Sequence, residues 1–88
     1  MINSKQRSKL RSLAHHLKPI VSIGKSGLTE GAIHSIDTAL DVHELIKVKF
    51  NMNKESKNEF IANQIESLSA FIVGDIGHTL IIFRPQKD

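Results

Sequence analysis

Residues 45–50 (Leu-Ile-Lys-Val-Lys-Phe) alternate strictly: Ile46, Val48 and Phe50 carry apolar side chains, with Lys47 and Lys49 set between them. Successive side chains of a strand point to opposite faces, so one face of this strand is apolar and the other basic. The apolar face must be covered, and the other is expected to stay at least partly open. A chain of 88 residues has room for one core, so whatever covers that face comes from the same domain.

The segments around this strand supply the cover. Leu10, Leu13, Ala14 and Leu17 follow helical spacing and predict a helix over 4–17, with Ser4 as N-cap. Lys18-Pro19 ends it, because the residue before proline avoids the α region. A short β-branched strand over 20–23 is followed by the loop Gly24-Lys25-Ser26-Gly27. Thr29 caps a second helix over 29–43, with Ile33, Ile36 and Leu40 as its buried stripe and Leu28 stapling onto Ile33. Ser56 and Glu59 read as a capping box that opens a third helix reaching Leu68, with Phe60, Ile61, Ile65 and Leu68 inward. Two strands, 70–75 and 79–83, flank a turn at Ile76-Gly77-His78. The expected order is helix-strand-helix-strand-helix-strand-strand. It describes an α/β fold: a single compact domain over 1–88 with a four-stranded mixed sheet and three helices.

Composition removes several function classes. Without cysteine there are no disulfides, thiolate metal sites or cysteine nucleophiles. Without Tyr or Trp, and with four Phe, aromatic stacking on bases is poorly supplied. The longest apolar runs, 70–73 and 80–83, are too short to span a bilayer, and the N-terminus lacks a signal-peptide apolar stretch. A cytoplasmic protein with no membrane partner is expected.

Charge is polarised along the chain. Residues 1–29 hold six basic side chains (Lys5, Arg7, Lys9, Arg11, Lys18, Lys25) and no acid. The other 59 residues hold six basic and nine acidic side chains. Such a distribution offers a polyanion a preferred face, although a solvated basic helix would read the same way.

The loop Gly24-Lys25-Ser26-Gly27 sharpens this. A nucleotide-binding P-loop is excluded, since Pro19 occupies the position of its first glycine. A GxxG loop instead lets backbone N–H groups approach a phosphate, and it feeds directly into the positive end of the second helix. Clamping of a nucleic-acid backbone is a known use of this geometry. The histidines point to no chemistry. His15 and His16 are adjacent and diverge by about 100° on a helix, so they cannot readily chelate one metal. His34, Asp37 and Asp41 share a face, which reads as a solvated acidic stripe. No acid–base pair is visible, so no enzymatic activity, cofactor, metal or small-molecule substrate is expected.

Three segments carry a resemblance: 17–31 (LKPIVSIGKSGLTEG), 43–49 (HELIKVK) and 77–85 (GHTLIIFRP). In this order they resemble the opening, second strand and final strand of the CRM domain, named for chloroplast RNA splicing and ribosome maturation. The resemblance spans nearly the whole chain, and a single domain of this length is similar to the stand-alone bacterial YhbY-type proteins. It implies a fold similar to the C-terminal domain of translation initiation factor three. It also implies association with precursor RNA of the large ribosomal subunit, with the GxxG loop as an RNA contact. Phe83 stands where the family often has tyrosine, which removes a hydroxyl but not the packing.

With this resemblance, the chain is expected to be an RNA-binding protein that assists maturation of the large ribosomal subunit. The expected contact residues are Gly24, Lys25, Ser26 and Gly27 in the loop, Lys5, Arg7, Lys9 and Arg11 on the first helix, and Lys18, Lys47, Lys49 and Arg84. The alternatives are a generic nucleic-acid-binding module, or an adaptor docking on a ribosomal protein through the acidic face of the second helix.

Overall fold

The computed structural model describes residues 2–51 and 54–86. The elements run α1 (Ser4–Ala14), β1 (Val21–Ile23), α2 (Glu30–His43), β2 (Leu45–Phe50), α3 (Lys54–Glu59), β3 (Phe71–Ile76) and β4 (Thr79–Phe83). α3 continues into a π-helical turn, Phe60–Gln64. The four strands form one mixed sheet in the order β1-β2-β4-β3. β1 runs parallel to β2, and the other pairings are antiparallel. The fold class and element order are those expected from the sequence.

The alternation in β2 sorts the core into two layers. Ile46, Val48 and Phe50 are buried with Ile23, Leu80 and Ile82 against Ile36, Ala39 and Leu40 of α2 and Phe60. The rings of Phe50 and Phe60 lie 5.9 Å apart, centroid to centroid. On the opposite face α1 packs Ala14 onto Val73 and Ile81, with Leu10, Leu45 and Phe83 around them. The second sheet face is therefore covered at the end where β2 begins and β4 finishes. Lys49, near the other end of β2, remains exposed.

α1 differs from expectation at both ends. Its N-cap is Asn3, which forms a reciprocal capping box with Gln6, so Ser4 is already the first helical residue. The helix stops at Ala14, short of 17, with the Leu17 N–H closing a tighter turn on the Ala14 carbonyl. Of the four-residue apolar stripe only Leu10 and Ala14 meet the sheet, and Leu13 is 58% exposed. A helix lying on a sheet along Leu10 and Ala14 presents a narrow contact line, which leaves Leu13 and Leu17 outside.

The third helical segment departs more. α3 already includes Lys54 and Glu55, and Ser56 is buried inside it rather than capping it. The residues just before Lys54 lie outside the described residues. At Phe60 the hydrogen bonding widens, and the Ile65 N–H donates to the Phe60 carbonyl at 3.0 Å. At α-helical spacing Ile65 would sit about 140° around from Phe60. A wider i→i+5 turn brings it much closer to the same face. Phe60, Ile61, Ile65 and Leu68 thus all reach the main core, as the apolar pattern requires.

Candidate nucleic-acid interface

β1 stops at Ile23, opposite Phe50, and the Asn51 N–H donates to the Ile23 carbonyl at 2.9 Å. The chain then makes a four-residue turn, closed by the Gly27 N–H donating to the Gly24 carbonyl at 3.0 Å. Gly27 holds φ +70°, in the left-handed region that costs any Cβ-bearing residue about 1–2 kcal/mol. A Cβ on Gly24 would meet nothing within 4 Å, so the fold itself makes no steric demand for glycine there. Lys25 and Ser26 occupy the exposed middle of the turn.

Two residues later the loop becomes a helix. Thr29 is extended (φ −80°, ψ 165°), and its Oγ1 accepts from the Ala32 N–H at 3.1 Å, which caps α2 as expected. Glu30 stands in the first turn and already complements the positive helix end. Attraction of a further anion to this loop therefore depends on Lys25 more than on the helix dipole.

The remaining expected contacts fall into two groups on one side of the sheet. Lys49 is exposed near the loop, paired across the sheet with Ser22 and Thr79. Lys47, half-buried, lies one row further back, where its carbonyl accepts from the Ile20 N–H, just after Lys18-Pro19. Lys5, Arg7 and Lys9 are exposed on α1. Arg11, also exposed, reaches the Val73 carbonyl at 3.5 Å, where a bulge interrupts the β3–β4 pairing. That contact links α1 to the edge strand.

Arg84 does not belong to this surface. Its guanidinium donates to Asp37 Oδ1 at 2.6 Å, the Asp37 carbonyl at 2.8 Å, Asp41 Oδ1 at 2.7 Å and the Leu68 carbonyl at 3.1 Å. Its side chain is 17% exposed. The fork that would grip a phosphate is spent on clasping the exit of β4 to α2. The same contacts reinterpret the acidic stripe of α2, since two of its carboxylates are ion-paired with Arg84.

Other sequence features resolve into packing. The His15 and His16 rings stack edge to face with centroids 5.4 Å apart. Phe83 packs in the layer beneath α1. No group of three or more metal-ligating side chains occurs among the described residues. No helix among them is long and apolar enough to cross a membrane. Sequence reasoning missed Lys57. Its side chain is 11% exposed, and Nζ bonds Asp75 Oδ1 at 2.5 Å and the Gly77 carbonyl at 2.7 Å. Nothing in the polar run 54–59 marks one lysine as buried, because its partners come from a hairpin some twenty residues on.

Comparison with known proteins agrees with this architecture. Residues 2–84 match the CRS1/YhbY (CRM) domain. A Haemophilus influenzae protein named "RNA-binding protein" is 42% identical over 99% of this chain and 89% of its own length. The Bacillus subtilis "Probable RNA-binding protein YqeI" is 37% identical over 100% of this chain and 93% of its own. The solution structure of a Staphylococcus aureus protein, described as a candidate RNA-binding protein, superposes with a TM-score of 0.83 at 39% identity. It covers 100% of this chain and 93% of that one. With the family match running through every strand and helix described above, this chain belongs to the CRS1/YhbY (CRM) domain family.

Proposed function

We propose that this protein binds RNA, and that its target is precursor RNA of the large ribosomal subunit, whose maturation it assists. The observation that carries the reading is the turn Gly24-Lys25-Ser26-Gly27. It is an exposed, glycine-bounded turn with a lysine at its tip, at the end of the sheet where Lys49 is exposed. Lys5, Arg7, Lys9, Arg11, Lys18 and Lys47 extend the positive surface from there. The relatives' names support RNA as the ligand. With no Tyr or Trp in the chain, recognition rests on phosphate geometry and RNA shape more than on base readout. The role is one of binding and not of turnover.

Cross-linking in cells followed by sequencing of the bound RNA tests the reading. Enrichment of large-subunit ribosomal RNA and its precursors is the expected result, and a profile of messenger RNA alone would overturn it. Ribosome association that ignores salt and survives Lys25→Ala would instead point to a protein-docking adaptor, since phosphate contacts are salt-sensitive.

A further inference from the structure

We propose that the β3–β4 turn, Gly77-His78, is a second lip of the RNA surface, facing the Gly24–Gly27 loop across the end of β2. We further propose that the Lys57–Asp75 pair keeps that lip in place and free of net charge. This rests on the RNA-binding reading above and adds to it a contact element and a positioning residue.

The backbone puts the two lips at one end of the sheet. Ile23, the last residue of β1, pairs with Phe50, the last of β2, and its carbonyl accepts from the Asn51 N–H. The Phe50 N–H in turn donates to the His78 carbonyl at 2.7 Å. Gly24 follows Ile23 directly, and His78 directly precedes β4. The loop and the hairpin turn are thus separated by the width of β2. Adjacent strands lie about 4.8 Å apart, so β1 and β4 are about 10 Å apart here. That is a short span for the few nucleotides a GxxG clamp engages. Lys49 lies between them, paired with Ser22 of β1 on one side and Thr79 of β4 on the other. A backbone leaving Lys25 and passing Lys49 arrives at His78.

One acid lies close to this lip, on the face of the sheet away from Lys49, since Asp75 pairs with Leu80 of the main core. Asp75 lies in β3 just before the turn, and its side chain is 45% exposed. A bare carboxylate there would repel phosphate. Lys57 approaches from beneath, bonds that carboxylate, and bonds the Gly77 carbonyl with the same ammonium. Gly77 holds φ +58° at the first position of a two-residue turn. Being almost wholly buried, Lys57 cannot itself serve RNA. Its effect is to cancel one charge and to fix one turn.

The test is a fluorescence titration of a labelled stem-loop RNA at constant salt, with thermal melting of each variant. His78→Glu is expected to weaken binding by about tenfold, through like-charge repulsion, while leaving the melting temperature unchanged. Lys57→Met is expected to weaken binding, and Lys57→Met/Asp75→Asn to recover most of it, because removing the acid removes the need for its partner. Lys25→Ala serves as the control for the RNA-binding reading. If Lys25→Ala weakens binding while His78→Glu binds like the parent, the hairpin lip is overturned and the RNA-binding reading stands. If the double variant stays as weak as Lys57→Met, or if Lys57→Met melts earlier but binds normally, the charge-cancelling role is overturned and Lys57 is a structural residue only. If the parent shows no RNA binding, both readings fall together.

Discussion

Arg84, just past the last strand, holds Asp37 in the middle of α2 by both its carboxylate and its carbonyl, at 2.6 and 2.8 Å. The two residues are 47 positions apart in sequence. The neighbouring chain reinforces the clasp, since the Arg84 N–H donates to the Glu44 carbonyl and Gln86 Nε2 donates to the Asp41 carbonyl. This relationship turns a basic residue expected at the RNA surface into a structural one, and it carries the first prediction. Arg84→Ala should lower unfolding free energy by about 1–3 kcal/mol, the range for losing charge-assisted hydrogen bonds at a half-buried site. Arg84→Lys should recover little, because an ammonium cannot reproduce the fork. Urea titration measures both, and RNA affinity of the folded variants should match the parent.

The register of β2 carries the second. Phe50 is fully buried against Phe60, and Lys49 is exposed on the other face. Phe50→Ala should cost about 3–5 kcal/mol of stability. Lys49→Ala should stay within about 0.5 kcal/mol, as surface changes do. Denaturant midpoints in the reverse order would place the strand one residue out of register.

The third separates charge from backbone in the GxxG loop. Lys25→Ala removes one cation and leaves the turn intact. If Lys25 meets one phosphate, the salt slope of binding to single-stranded RNA should fall by about 0.7. Gly27→Asp adds a side chain and a negative charge at a position whose φ is +70°, with strain of about 1 kcal/mol. It should weaken RNA binding more than Lys25→Ala, with an unchanged circular dichroism spectrum. Parental binding by both variants across a salt series would make the loop a plain turn and shift the site to α1.

Strain at the end of α2 carries the fourth. Glu44 holds φ 63° and ψ −51°. This lies near the γ-turn conformation, which is rare and strained for a residue with a Cβ. The clasp described above keeps it there, with its N–H on the Leu40 carbonyl and its own carbonyl receiving Arg84. Glu44→Gly should therefore raise the melting temperature. The relieved strain of about 1–3 kcal/mol exceeds the glycine entropy cost of up to about 1 kcal/mol. A lower melting temperature would show that the glutamate side chain contributes more than its backbone costs.

What could be read from the residues follows the range of the forces involved. β2 spans Leu45–Phe50 and β4 spans Thr79–Phe83, the ranges expected, because period-two alternation and a glycine turn are local signals. Thr29 caps α2 as expected for the same reason. The GxxG turn was legible too, since its glycines, lysine and following helix are contiguous. Less legible was the first cap, because Asn3 and Ser4 are both good candidates and only the reciprocal bond with Gln6 decides between them. The π-helical turn was invisible, because widening it helps only when Phe60 and Ile65 have one sheet to reach.

The sequence by itself determined the strand faces, the order of the elements and the basic N-terminal third, since each depends on neighbours along the chain. Tertiary structure alone decided which charges are available to a ligand. Lys57 and Arg84 carry the same formal charge as Lys25 and Lys49, and nothing in their local sequence sets them apart. They differ because the fold brings Asp75 to Lys57, and Asp37 and Asp41 to Arg84. A paired, half-buried cation gains little by leaving its partner for a phosphate, whereas an exposed one gives up only water and counterions.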